Sequence, residues 1–312
     1  MGKYKFISLY KEPILFVITG SKKEVFQNTG ALKEFYDNKD TNKIVVTNKS
    51  NVDIFRKFPN TKIYSMNAES FLILDQMFFG KMILMPNTEL SHAFCKKLSK
   101  RSGTLIGKID TIEFDDWNYM YIPTFHPIDI IHQKVKRDGN YLIGINIGEN
   151  EHVTKKLPFS FLCDLMNNIS SRINVRFVLF GTINNNVRAE MINRECRSDI
   201  INLIGNYDID MYAQAIELCD CFISLNRFLL HLSMALKQET IGIFYGDEFK
   251  DEEENESMIP NLYPFVIENV CGDCDEIEEC ELIYKNEGYC LNDLKIKDIA
   301  DMAIEIIKSR NK

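Results

Sequence analysis

The chain has 312 residues, enough for two domains at about 100–200 residues each. Lys and Arg number 37 against 45 Asp and Glu, a net charge of −8, which argues against a general nucleic-acid binder because phosphate affinity rests on excess Lys and Arg. At 45% apolar and 26% charged residues the composition is that of a soluble globular protein, with no apolar run near the roughly 18 residues of a membrane span and no secretory leader pattern, so a cytoplasmic protein is expected.

Short β-rich runs alternate with helical patterns. Ile14–Ile18 is a predicted strand ending at Thr19-Gly20, and Val25–Tyr36 a predicted helix. Lys43–Thr47, Thr61–Tyr64 and Met82–Met85 are further strands, followed by a helix start over Ser91–Lys97. The pattern then restarts with a strand at Tyr141–Asn146, a helix at Phe159–Ile169 and a strand at Val175–Gly181. A helix over Asp210–Cys219, a strand over Cys221–Leu225, a helix over Phe228–Leu236 and a strand over Thr240–Tyr245 follow. The acidic run Asp247–Glu256 is expected to be a solvated loop. The last helix starts near Ile296, with Ile296, Ile299, Ala303, Ile306 and Ile307 at helical spacing and Asn292 or Asp293 as its expected cap. Continuous apolar strands separated by helices indicate parallel sheets covered on both faces.

The polar stretch Gln133–Asn140 carries an Asp138-Gly139 turn signal and divides two α/β halves. The predicted domains are residues 1–136 and 137–312, both Rossmann-like and doubly wound, facing a cleft at the carboxyl ends of their strands.

The stretch from Val175 to Gly246 is the most informative. It has a strand ending in Gly181, then Asn202-Leu203-Ile204-Gly205, a helix and strand to Leu225, His231-Leu232-x-x-Ala235-Leu236, and a strand ending in Gly246. This series resembles the C-terminal, nucleotide-binding half of glycosyltransferase family nine, the ADP-heptose:lipopolysaccharide heptosyltransferases. Upstream, Ile143-Gly144-Ile145-Asn146 followed by Thr154-Lys155-Lys156-Leu157-Pro158 resembles the family's I-G-I-N-P-G…T-K-R-W-P segment. Gly20 to Phe35 resembles its first loop, G-x-x-G-D-V-L-x-T-x-P-A-L-R-x-L.

The resemblance implies a GT-B-type α/β fold that transfers a sugar, a heptose by the family's habit, from a nucleotide-sugar donor to an acceptor hydroxyl. The acceptor is lipopolysaccharide, another lipid-linked glycan, or protein. The N-terminal domain binds the acceptor and the C-terminal domain the donor. Lys155 aligns with the lysine that neutralises the donor phosphates; the bland reading is a solvated surface lysine. Asn202, Leu203 and Gly205 lie beside the nucleoside by the same resemblance. Asn226-Arg227-Phe228-Leu229-Leu230-His231 stands where the family has D-S-G-P-x-H, a loop that holds the diphosphate on a helix N-terminus. Arg227 supplies a direct guanidinium–phosphate contact, or the bulk of Phe228 closes the pocket. His231 is either a donor contact or a packed helix residue. Glu24 takes the place of the family's base aspartate; it either deprotonates the acceptor or caps a helix.

Four of the nine cysteines, Cys271, Cys274, Cys280 and Cys290, fall within one short stretch. Four thiolates suit a closed tetrahedral site for structural zinc or iron; otherwise they are four reduced thiols in a loop. A Cys-rich insertion at 271–290 resembles the iron finger of the autotransporter heptosyltransferase branch. The other five cysteines are expected to be buried thiols. No organic cofactor is expected, and peripheral membrane contact and a homo-oligomer stay open. The rival reading is a catalytically inactive family member acting as a binding or scaffold subunit, because both functional loops are altered. An epimerase-like nucleotide-sugar enzyme ranks behind both.

Overall fold

The structure, a computed structural model, describes residues 13–27, 29, 42–56, 58, 60–77, 79, 81–85, 89–101, 109–111, 128–148, 157–205, 207–225, 228–245, 249, 261–267 and 294–310. The chain divides into two compact units, Met1–Pro123 and Thr124–Lys312.

The first unit is built on five parallel strands: β1 (Ile14–Ile18), β2 (Lys43–Thr47), β3 (Thr61–Ser65), β4 (Lys81–Met85) and β5 (Ile109–Thr111), in the order β3-β2-β1-β4-β5. Its helices are α1 (Lys22–Gln27), α2 (Val52–Phe55), α3 (Ala68–Leu74) and α4 (Glu89–Arg101). The central strand β1 is apolar on both faces, and Leu15, Phe16, Val17 and Ile18 are all fully buried. That is the pattern of a strand covered by helices on both sides.

The second unit has six parallel strands: β6 (Tyr141–Asn146), β7 (Val175–Gly181), β8 (Asp199–Ile204), β9 (Cys221–Leu225), β10 (Thr240–Tyr245) and β11 (Leu262–Ile267). They are ordered β11-β10-β9-β6-β7-β8. Its helices are α5 (Asp129–Lys134), α6 (Phe159–Ser170), α7 (Asn186–Glu195), α8 (Ile209–Glu217), α9 (Phe228–Ala235) and α10 (Ile296–Ser309). In both units the chain winds outward from a central strand and then reverses, the Rossmann arrangement.

One face of the second sheet packs Ile143, Ile145, Cys221 and Ile223 against Leu162, Leu165 and Met166 of α6 and Ile299, Ala303 and Ile307 of α10. On β6, Gly144 leaves the space in which Phe180 and Phe222 meet edge to face, 5.2 Å between ring centroids. A Cβ there would stand 2.6 Å from the Phe222 ring and 3.0 Å from the Phe180 ring, so those rings are placed by the missing side chain.

Helix α5 goes with the second unit. The backbone N–H of Ile128 donates to Oε1 of buried Gln214 at 2.6 Å, and Arg137 pairs with Asp220 at 2.6 Å. Arg176 reaches back from β7 to Asp138 at 2.5 Å and to Asp199 at 2.7 Å. The turn signal read at Asp138-Gly139 is a turn: both residues have positive φ, 45° and 81°, and Asn140 N–H donates to the Arg137 carbonyl at 2.8 Å.

Some expectations need correcting. Helix α1 begins at Lys22, three residues ahead of the expected Val25, because Ser21 starts it; residues 28 and 30–41 lie outside the described residues. The N-cap of α10 is Lys295, in extended conformation and with no side-chain cap bond, in place of Asn292 or Asp293. The helix is held by its apolar stripe, so a polar cap is dispensable. Strands β5, β8 and β11 and helices α2, α3, α5 and α7 were not anticipated. Of Asp247–Glu256 only Phe249 is described.

Candidate functional site

In each sheet the winding reverses between two neighbouring strands, β1 and β4 in the first and β6 and β9 in the second. Ligands of open α/β sheets bind outside the carboxyl ends of such strands. The residues singled out from the sequence that can be placed are grouped near the carboxyl ends of strands in their respective units.

In the first unit, β1 runs into Thr19, Gly20 and Ser21 and then into α1. Ser21 Oγ accepts the Glu24 N–H at 3.3 Å, and Glu24 Oε2 accepts the Ser21 N–H at 2.7 Å. This reciprocal pair is a capping box, formed by Ser-x-x-Glu. Exposed Glu24 therefore caps the helix, as one of its two sequence readings has it. Gly20 has φ of 131°, and its carbonyl accepts from Asn51 Nδ2 at 3.0 Å and Asn48 Nδ2 at 3.4 Å. Lys22 on α1 pairs with Asp53 on α2 at 2.7 Å. The loop under Glu24 is thus fixed from both sides.

In the second unit, buried Asn146 at the end of β6 donates through Nδ2 to Ser224 Oγ on β9 at 3.1 Å. Its Oδ1 accepts the Gly148 N–H at 3.1 Å. The Gly148 carbonyl accepts from Nδ2 of buried Asn185 at 2.9 Å. Gly181, ending β7, lies against that same carbonyl: a Cβ at position 181 would stand 2.7 Å from Gly148 O. The Tyr212 hydroxyl on α8 is shared between the carbonyls of Gly181 at 3.0 Å and Gly205 at 3.2 Å. Four consecutive strand ends are therefore tied together by amides, a phenol and two close-packed glycines.

Asn202, Leu203 and Gly205 lie on β8 and just after it. Asn202 is exposed, and its Oδ1 accepts the Ile204 N–H at 2.8 Å; Leu203 is buried. His231 has no exposure and sits in α9, where Phe228 to Met234 are all buried. Phe228 opens the same helix at 4% exposure. Lys155, Asn226, Arg227, Cys271, Cys274, Cys280 and Cys290 lie outside the described residues. Among the described residues no cluster of His, Cys, Asp or Glu is able to hold a metal ion, and no helix is long and apolar enough to cross a membrane.

Sequence reasoning missed Asn146, Ser224, Asn185 and Tyr212 as site residues. The first two carry a signal that reading could have used: each is a polar residue inside an otherwise apolar strand, Tyr-Leu-Ile-Gly-Ile-Asn and Cys-Phe-Ile-Ser-Leu. Buried polar side chains need partners, so two of them in adjacent strands point to one another.

A separate cavity of about 460 Å³ lies at the amino ends of β2 and β3. It is lined by residues including Lys43, Phe58, Asn60 and Lys62, on the sheet edge opposite Glu24.

Comparison with known proteins bears out the resemblance read from the sequence. Residues 153–252 match the sequence model of glycosyltransferase family 9 (heptosyltransferase). Lipooligosaccharide heptosyltransferase 2 of Campylobacter jejuni is 23% identical over 181 residues, covering 56% of this chain and 54% of that protein. The chain thus matches about half the length of that curated relative. The solved ADP-heptose lipopolysaccharide heptosyltransferase II of E. coli superposes with a TM-score of 0.69 at 13% identity, over 96% of this chain and all of that one. The iron-containing dodecameric glycosyltransferase TibC of enterotoxigenic E. coli superposes with a TM-score of 0.53 at 10% identity, over 96% of this chain and 78% of that one. These likenesses span both units and establish the α/β, GT-B-type fold.

Proposed function

We propose that this chain is a glycosyltransferase of the family-nine kind, moving a heptose from ADP-heptose to an acceptor hydroxyl on a lipopolysaccharide-type glycan. The observation that carries this reading is the family match at 153–252, which falls on the unit whose strand ends are bound together at the switch point.

In this reading the acceptor oxygen attacks the anomeric carbon while the bond from that carbon to the diphosphate breaks. Glu24 takes the acceptor proton. Negative charge grows on the departing diphosphate, and Lys155 and Arg227 neutralise it, with Asn226 and His231 beside it. Asn202, Leu203 and Gly205 flank the nucleoside. The first unit binds the acceptor and the second unit binds the donor. Fixed cations do the work, so no organic cofactor takes part, and the enzyme acts in the cytoplasm.

Cys271, Cys274, Cys280 and Cys290 are proposed to hold one structural iron or zinc. The support is the four-thiol spacing and the iron in the TibC relative. Elemental analysis of the purified chain is expected to give on the order of one iron or zinc per molecule, lost when the four cysteines become serines. Metal-free protein of unchanged stability would count against the site.

Calorimetric titration with ADP, UDP, GDP and ADP-heptose tests the donor reading. ADP and ADP-heptose are expected to bind saturably. Lys155→Ala is expected to weaken both about 10- to 100-fold, the worth of one charge-assisted contact. No binding by any of the four ligands would hand the lead to the scaffold reading.

A further inference from the structure

We infer that Asn146 and Ser224 are positioning residues for the nucleotide donor, acting through the backbone at Gly148 and Leu225; the inference rests on the donor reading above.

The paired register of β6 and β9 runs from Ile143 opposite Cys221 to Ile145 opposite Ile223. One residue further on, the link between these strands passes to side chains. Asn146 Nδ2 donates to Ser224 Oγ at 3.1 Å, and the Ser224 hydroxyl donates to the Leu225 carbonyl at 2.8 Å. Asn146 Oδ1 takes the Gly148 N–H, and Asn185 takes the Gly148 carbonyl. Both polar groups of Gly148 are thereby oriented, at a φ of 140°. The network fixes the backbone at Gly148, just after β6, and joins it to the Leu225 carbonyl at the end of β9. It sits between the two strands where the sheet's winding reverses, where a donor is expected.

Stability alone does not call for the pair. Ser224 has no exposure and Asn146 only 3%, and an apolar pair of similar shape would avoid burying two polar groups. Replacing both partners of a buried hydrogen bond is nearly neutral, whereas removing one leaves the other unsatisfied. The distinction separates a positioning role from a packing role.

The test compares ADP affinity and thermal stability in the full chain, as wild type, Ser224→Ala, and the double variant Asn146→Leu with Ser224→Ala. Ser224→Ala is expected to lower the melting temperature and weaken ADP about tenfold. The double variant is expected to regain at most part of the lost melting temperature, because Asn146→Leu also removes the acceptor of the Gly148 N–H, and to regain no affinity. At saturating donor, kcat should stay within about twofold of wild type while the donor KM rises. Recovery of affinity along with stability in the double variant overturns the inference, as does unchanged affinity in Ser224→Ala. Absence of ADP binding by the wild type overturns the donor reading, and this inference with it.

Discussion

Glu24→Gln is expected to lower turnover about 10²- to 10⁴-fold, the usual contribution of a general base, with donor affinity and thermal stability unchanged. The separation is possible because of how Glu24 is held. Its carboxylate closes a capping box with Ser21, and glutamine at that position closes the same box. The substitution therefore keeps the structural role and removes only the basicity. Ser21→Ala does the converse. It deletes the hydroxyl that accepts the Glu24 N–H and should cost about 0.5–2 kcal/mol, leaving a carboxylate at position 24. A carboxylate accepts several hydrogen bonds at once, so capping and proton transfer are compatible in one residue. Exposed Glu24 stands at the first sheet's switch point, on a loop braced by Asn48 and Asn51. If Glu24→Gln turns over like wild type, the residue is a cap and nothing more, and the base lies elsewhere.

The legible parts of this fold are those where one force decides alone. Ile14–Ile18, Lys43–Thr47, Tyr141–Asn146 and Cys221–Leu225 were read to the residue because a centre strand of a parallel sheet is apolar on both faces. β8 was missed because its outer position lets Asp199 and Asn202 face solvent, breaking the run. β11 is likewise at an edge, and its Pro264 reads against a strand, although an edge strand tolerates proline. α2 and α3 span four and seven residues, too short for a helical period to show. At the site, the family resemblance pointed to residues at and near strand ends. It included Asn146 in a matched motif without giving it a role, and it did not point to Ser224 or Asn185; the partners in these bonds lie 78 and 37 residues apart in sequence. Such pairings exist only once the register of the sheet is known. His231 shows the opposite limit: its type suggested chemistry, and only the fully buried α9 shows how tightly it is packed.

Stability is expected to fall steeply above about pH 9, more in the second unit than in the first. The cause is thiol burial. Cys219 and Cys221 flank the start of β9 with at most 1% exposure, and burial pushes both thiols well above their ordinary value. Burial also raises Cys163 and Cys196, whose sulfurs lie 2.8 Å apart. In the first unit, burial pushes Cys95 up to about 12. Below pH 9 all these thiols are protonated whether the chain is folded or not, and their protection is fully present. Above it, thiols of the unfolded chain ionise while the buried ones stay protonated, so unfolding releases protons. Each such thiol then removes about 1.4 kcal/mol per pH unit until the pH passes its folded pKa. Lys43 acts the other way in the first unit. Burial lowers its pKa, so above that folded value it is neutral when folded and charged when unfolded, and stability gains as pH rises toward 10.5. In the first unit the raised thiol and the lowered lysine act in opposite directions, whereas the second unit has four raised thiols among its described residues. Urea midpoints followed from pH 8 to 10.5, with limited proteolysis to tell which unit opens first, give the comparison. Cys221→Ala should lower stability at pH 8 by leaving a small cavity, yet flatten the alkaline slope by one thiol's share. An equal slope in that variant would mean that Cys221 ionises in the folded protein, contrary to its placement in the sheet.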